Sequence, residues 1–450
     1  MSIETLWFKE ALLPNGWASE VRISLQAGYI SQIETGVAAS PYDQRHAIGL
    51  PGLPNLHSHA FQRLIAGATE YRGASEDSFW TWRTQMYAQV SRLTPEDVEA
   101  ITALAYMEML ETGFTRVGEF HYLHNDTNGS PYDDRGAMAA AVATAAQGTG
   151  IGLTLLPVFY AHGGFQGMPA HGGQKRFING LDSFADLLSA SRKEVGRLDE
   201  GVVGIAPHSL RAVMPDELHA LVPMAEGAPI HIHIAEQLAE VEDCLTWSGQ
   251  RPVEWLMNHV EVNPHWCLVH ATHMTDMETQ NLAKSGAVAG LCPITEGNLG
   301  DGLFPANAFV NAGGSFGVGS DSNVRIDAAE ELRLLEYGQR LLHKKRNILA
   351  HPSSGATLYC GAVQGGAQAL GVASGLAVGH SADLVSLEAG HASLLGKSGN
   401  DLLDAYVFAA GTQAIDCVWR FGRKWVSSGR HIRRDAILSA YAKVVGRLSA

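Results

Sequence analysis

Two imidazoles one residue apart, His57-Ser58-His59, are the first feature of this 450-residue chain with obvious chemical potential. On a strand, residues i and i+2 project to the same side, so the pair can grip one metal ion. Far along the chain stands His231-Ile232-His233-Ile234-Ala235-Glu236. His233 offers a third nitrogen ligand, and Glu236, three residues on, can reach over the metal as a proton carrier. A third group is His270 in Leu268-Val269-His270-Ala271-Thr272-His273, and a fourth is Asp321 in Gly317-Val318-Gly319-Ser320-Asp321-Ser322. Singly, each has a structural alternative: histidines in a surface loop, a strand-edge pair beside a solvated Glu, a satisfied core His, an Asp capping a helix. Their joint placement along the chain is what favours a site.

That placement depends on the elements carrying them. Apolar runs at 48–56, 115–120, 152–160, 202–206, 229–234, 267–269, 287–292 and 315–319 read as strands, each followed by helical sequence. Residues 95–112, entered through Leu93 and Thr94, and 327–342, apolar at Leu332, Leu335 and Leu341, are two such helices. Eight alternations of strand and helix predict an α/β fold, a (β/α)8 TIM-like barrel. The four polar groups then fall at the C-terminal ends of the first, fifth, sixth and eighth strands, which is the active-site face of such a barrel. Residues 1–50 and the tail (382–387, 404–407, 417–421 and 424–427) read as short strands. There is no helical repeat of the solenoid kind.

Composition narrows the function classes. A formal net charge of −14 with no run of five Lys or Arg argues against nucleic acid as a partner. The nearest basic cluster, Lys344-Lys345-Arg346, reads as a solvated helix face. Five cysteines, odd in number and widely spaced without a C-x-x-C, suit a reducing, cytoplasmic compartment and argue against a disulfide framework or a cysteine zinc site. The first ten residues lack the pattern of a signal peptide. The Ala-rich stretch 137–160 is interrupted by Gln147, Gly148 and Gly150 and reads as a packed helix and strand, with no membrane span.

The order H-x-H, H-x-x-E, H and D over these four strand ends resembles the amidohydrolase superfamily. It is similar to the mononuclear branch of guanine, cytosine and S-adenosylhomocysteine deaminases and triazine hydrolases. Ala206-Pro207-His208, Cys292-Pro293 and Gly379-His380-Ser381-Ala382-Asp383-Leu384-Val385 add to the likeness, which spans essentially the whole chain. The resemblance implies a catalytic barrel over 51–375 and a small β-sandwich domain built from 1–50 and 376–450. It implies one divalent ion per chain, Zn2+ with Fe2+ as the alternative, held by His57, His59, His233 and Asp321. His270 and Asp321 then orient and deprotonate water, and Glu236 carries the proton. The strand-4 sequence lacks a lysine placed like the carbamylated bridge of two-metal members, which favours one ion.

Within that branch, three segments resemble the formimidoylglutamate deiminases of histidine degradation. They are Asn55-Leu56-His57-Ser58-His59-Ala60-Phe61-Gln62-Arg63, Phe79-Trp80-Thr81-Trp82-Arg83 and Pro207-His208-Ser209-Leu210-Arg211. This likeness implies hydrolysis of N-formimidoyl-L-glutamate to N-formyl-L-glutamate and ammonia. Such a substrate carries two carboxylates, best held by planar bidentate guanidinium groups. Arg83, expected in the loop after the first strand, and Arg211, after the fourth, are placed for that task in an otherwise acidic chain. The structural alternative for each is a surface salt bridge. Gln62, Tyr122 and His208 are expected to contact the substrate, and Trp80 and Trp82 to pack the loop. The enzymatic rival is a nucleobase or related heterocycle, which calls for aromatic stacking and amide contacts instead. A metal-free scaffold predicts lost ligands, whereas every expected ligand position is filled. The family resemblance and the prevalence of symmetric dimers imply a homodimer acting on a small molecule.

Overall fold

Strands buried on both faces, short and nearly all apolar, can be satisfied only by a parallel sheet wrapped in helices. β5 (Leu53–Ser58), β6 (Phe114–His121) and β7 (Gly152–Phe159) are buried at every position. The same holds for β10 (Ile230–Ile234), β11 (Trp266–His270) and β12 (Val288–Leu291). The computed structural model describes residues 4–70 and 79–449, with the side chains of Phe79 and Trp80 outside the described set.

β1 (Glu4–Leu13), β2 (Gly16–Gln26), β3 (Tyr29–Glu34) and β4 (Gln44–Pro51) precede the barrel. β8 (Val202–Val203), β9 (Ala206–Pro207) and β13 (Ser315–Val318) complete the barrel strands. β14 (Leu384–Leu387), β15 (Ile415–Arg420), β16 (Arg423–Ser427) and β17 (Arg430–His431) follow it. The barrel strands run in the order β10-β11-β12-β13-β5-β6-β7-β8, with β9 also beside β7. Every pairing among them is parallel. Parallel bridges Ile205↔Ile230 and Ser209↔His233 join the fourth position to β10 and close the ring. Each predicted apolar run thus contributes a barrel strand. The first run is split at Gly52, so that β4 serves the terminal sheet and β5 the barrel.

Both chain termini form one separate sheet, ordered β17-β16-β15-β14-β4-β1-β2-β3. Backbone bonds from Ile30 to His380 and from Ala382 to Gly28 bring its far edge back against the segment entering β14. Leu6, Phe8, Val21, Ile23, Leu384 and Trp419 fill the apolar cluster thus enclosed.

Three sequence expectations need correction. Residues 404–407, expected as strand, belong to a helix, Asn400–Ala405, that runs on into a wider turn, Tyr406–Ala410. Leu402, Leu403, Tyr406 and Val407 are buried, and the Asp404 carboxylate accepts from Ser353 Oγ and Gly355 N–H. In so short an apolar run, periodicity alone does not separate strand from helix. The tail also ends in a helix, Arg434–Ser449, whose Ile437 packs on Leu104 and Met107. Arg83 lies on a helix, Phe79–Val90, instead of in a loop. The two helices foreseen at 95–112 and 327–342 do form, capped by Thr94 and Asp327.

Candidate active site

Two barrel strands bring the first ligand-type residues together. β5 and β13 pair in parallel, and their ladder continues past the formal strand ends. Asp321 N–H donates to the His57 carbonyl at 3.0 Å, and His59 N–H donates to the Asp321 carbonyl at 2.9 Å. Gly319 permits this approach, because a Cβ there would lie 2.7–2.9 Å from His57 O, N and Cβ. Asn55 accepts from Ser320 N–H at 3.0 Å and donates to Ser320 Oγ, which donates to Asn323; Asn323 in turn donates to Ser58 Oγ. The β5–β6 register shifts between Asn55 and Ser58, an irregularity of the kind that re-aims side chains beside sites. Asp321 and His270 both take left-handed backbone angles, φ 43° and 68°, which non-glycine residues adopt only when their surroundings impose it.

β10 supplies the third imidazole by simple alternation. Ile230, Ile232 and Ile234 belong to the main apolar core, so His231 and His233 share the opposite face. His231 donates through Nε2 to the Ala369 carbonyl at 2.7 Å, and His233 Nε2 lies 3.0 Å from His57 Nε2. His59 Nδ1 donates to the Phe120 carbonyl at 2.8 Å and His233 Nδ1 to the His208 carbonyl at 3.2 Å. Those bonds leave both Nε2 atoms bare and facing inward. Asp321 Oδ1 stands 3.4 Å from His57 Nε2 and 3.3 Å from His59 Nε2. One ligand atom from each of His57, His59, His233 and Asp321 lies within 4.8 Å of the others. Burial lowers His57 to about 4 and His59 to about 3, keeping the imidazoles in their ligating, neutral form near pH 7. Burial favours the neutral form of Asp321, yet its bond and charge interaction with His57 hold the carboxyl well below the usual range. Bare lone pairs converging on a carboxylate repel one another unless a cation lies among them, so this donor set fits a divalent ion.

His270, Glu236 and Arg211 surround this cluster. His270 Nε2 lies 3.8 Å from Glu236 Oε1 and 3.8 Å from Asp321 Oδ2, while its Nδ1 faces Glu296 Oε1 at 3.3 Å. Burial opposes a charge on His270, but the carboxylates of Glu236, Glu296 and Asp321 outweigh it and raise the ring to about 10; a divalent cation held beside Asp321 would oppose that charge and favour the neutral ring. Burial also raises Glu236, against the pull of His270 and of Arg211, whose Nη2 is 3.6 Å from Glu236 Oε2.

A cavity of about 390 Å3 opens over these groups. His59, His233, Glu236, His270 and Asp321 line it, and so do all five expected substrate contacts, Gln62, Arg83, Tyr122, His208 and Arg211. Gln62 donates to Tyr122 Oη at 2.6 Å, while its own Oε1 is buried without a hydrogen-bond partner among the described residues. Arg83 sits 5.7 Å above the Tyr87 ring. Trp82, expected only to pack, also lines the cavity, and Trp80 lies outside the described side chains. His57, fully buried, does not reach the cavity surface.

Comparison with known proteins gives this geometry a lineage. The amidohydrolase family profile matches residues 48–425, most of the chain. The chain belongs to the amidohydrolase family. Residues 5–47 of this amidohydrolase match the profile described as formimidoylglutamate deiminase HutF, N-terminal domain. It is 47% identical to a formimidoylglutamate deiminase of Pseudomonas aeruginosa, covering 99% of this chain and 100% of the other. The crystal structure of an amidohydrolase from Brucella melitensis superposes with a TM-score of 0.96 at 52% identity, covering 99% and 100% of the two chains. A zinc-bound adenosine deaminase from Xanthomonas campestris has the same fold, with a TM-score of 0.82 at 22% identity, covering 99% and 98%.

The amidohydrolase site includes carboxylates that motif reading passed over. Glu240 accepts from Ala235 N–H at 3.1 Å and Glu236 N–H at 3.2 Å, anchoring the turn that presents Glu236. Glu119 accepts from Ala60 N–H at 2.7 Å, just after the histidine pair, and burial raises it to about 8. Glu296 accepts from Cys292 N–H at 2.9 Å in addition to its contact with His270. A Glu shortly after Cys292-Pro293 has the form of a helix-entry signal, which was the trace available in the sequence.

Proposed function

We propose that this amidohydrolase is a metal-dependent deiminase that hydrolyses N-formimidoyl-L-glutamate to N-formyl-L-glutamate and ammonia. The observation that carries the reading is the sharing of one cavity by the His/Asp cluster, Glu236, Arg83 and Arg211. The full-length likeness to a formimidoylglutamate deiminase supports the same substrate. His57, His59, His233 and Asp321 would hold one divalent ion, and the N/O donor set suits Zn2+. When bound, such an ion polarises substrate and lowers the pKa of water toward ~7.

The protein's own groups have distinct tasks. Asp321 and His270 orient the attacking water and accept its proton. Glu236, buried and raised in pKa, suits transfer of a proton to the departing nitrogen. The C–N bond to that nitrogen breaks, ammonia leaves, and the carbon keeps the water oxygen as a formyl group. Arg83 and Arg211 each take a carboxylate, while Gln62, Tyr122 and His208 contact the rest of the substrate.

Aromatic rings in the cavity, including Tyr87, Tyr160 and Trp247, are the feature that would suit a flat heterocycle. A linear dicarboxylate would use both arginines that line the same cavity, Arg83 and Arg211. The expected enzyme is a homodimer of a reducing cytoplasm, where its five unpaired cysteines are at ease. Among the described residues, no helix is long and apolar enough to cross a membrane. Incubation with N-formimidoyl-L-glutamate should release ammonia and N-formyl-L-glutamate in equal amounts. Release of formamide with free glutamate would refute the assigned bond cleavage.

A further inference from the structure

The Glu296 carboxylate is buried and makes two contacts through a single oxygen. Oε1 accepts from Cys292 N–H at 2.9 Å and faces His270 Nδ1 at 3.3 Å. On the opposite side of the same ring, Nε2 points between Glu236 Oε1 and Asp321 Oδ2, 3.8 Å from each. A half-turn of an imidazole about its Cβ–Cγ bond exchanges nitrogen for carbon at both edges. The ring therefore needs a partner on its far side to keep Nε2 over the reaction centre. An acceptor at Nδ1 also places the proton of the neutral ring there and leaves Nε2 a lone pair for water. His270 has a left-handed backbone at the end of β11, so its orientation cannot rest on a relaxed local conformation.

We propose that Glu296 is a positioning residue for the hydrolysis, fixing the His270 ring and its tautomer through Nδ1. The proposal rests on the reading of His270 as the group that handles the attacking water. Glu296 touches neither substrate nor metal in this account and acts through His270.

Glu296→Ala should lower kcat ~10–100-fold, the range common for outer partners of an active-site imidazole. KM should stay within about twofold, and metal content should remain one ion per chain. Glu296→Gln keeps an oxygen that can accept from both Cys292 N–H and His270 Nδ1–H, so it should recover most of the lost kcat. In a His270→Ala background, Glu296→Ala should add no further loss, since its only route to the reaction is gone. A merely structural role predicts the opposite: the loss persists in that background and metal falls with it. Equal defects in the Ala and Gln variants would also overturn the proposal. Should the Ala variant fail to fold, 15N NMR of histidine-labelled wild-type holoenzyme gives an independent reading. A neutral His270 protonated at Nδ1 supports the assignment, and one protonated at Nε2 overturns it. Wild-type turnover of N-formimidoyl-L-glutamate judges the substrate reading separately. The variant ratios, taken on the best substrate found, judge Glu296.

Discussion

Asp321 is joined to His57 twice, by a backbone bond of 3.0 Å from its N–H to the His57 carbonyl and by a side-chain approach of 3.4 Å between Oδ1 and Nε2. The ladder that joins β5 to β13 is therefore also what sets the spacing of two proposed ligands. A disturbance of that strand pair should register as a disturbance of the metal.

The first prediction concerns ion content. Elemental analysis should find about one ion per chain in active protein, and His57→Ala or His233→Ala should lose most of it. Two ions per wild-type chain, or full activity in metal-free protein, would refute the mononuclear assignment.

Gly319 offers a test of the strand pair itself. In Gly319→Ala the new Cβ meets backbone of His57 at 2.7–2.8 Å, so the strands must part. Overpacking of this kind costs ~1–3 kcal/mol. Chemical denaturation should show that loss, and the metal should exchange faster with a chelator. Unchanged stability together with unchanged metal retention would mean that the approach is not needed.

Glu236 is assigned proton transfer and no ligand role. Glu236→Gln should keep its metal and lose ~10²–10⁴-fold in kcat. Near-wild-type turnover, or metal loss, would remove Glu236 from that role.

A pH prediction arises from His231, buried on β10 two residues before His233 and not itself among the proposed ligands. Burial lowers it from 6.5 to about 4, so the unfolded chain binds its proton at higher pH than the folded one. The stability associated with the neutral folded ring is present above pH ~6.5 and drains as pH falls toward 4. His231→Gln retains a donor for the Ala369 carbonyl but does not titrate. Between pH 7 and 4.5, wild type should lose ~2–3 kcal/mol more stability than this variant. Parallel stability–pH curves for the two would contradict the buried neutral assignment.

Much of the site was legible because strand geometry is regular. Alternation along β10 sets His231 and His233 on one face, and the C-terminal strand ends carry His57, His59, His270 and Asp321 into one mouth. Glu240, Glu119 and Glu296 escaped notice because their partners include backbone N–H groups that turn toward them only in the folded chain. Glu119 meets Ala60 from far away in sequence, whereas Glu240 and Glu296 each accept from the backbone N–H four residues earlier, a local spacing that also occurs at ordinary helix entries. The helix at Arg434–Ser449 was missed for a different reason. It buries little beyond Ile437 and Val444, so its sequence lacks a strong apolar period.

The two arginines connect the site to its substrate. Arg83→Ala or Arg211→Ala should each cost ~30- to several-thousand-fold in kcat/KM, equivalent to ~2–5 kcal/mol for a carboxylate left unpaired. Lysine should rescue only in part, because an ammonium lacks the planar two-point contact. Metal content should not change in any of these variants. Wild-type rates in place of those losses would return both side chains to surface or structural roles.

The most direct test is ammonia release from N-formimidoyl-L-glutamate, N-formimidoyl-glycine, guanine and cytosine, measured side by side with the holoenzyme. The glutamate derivative should be turned over with a kcat/KM far above the others, the glycine analogue failing for want of its second carboxylate. Equal turnover of the glycine analogue, or preference for a nucleobase, would contradict the assignment.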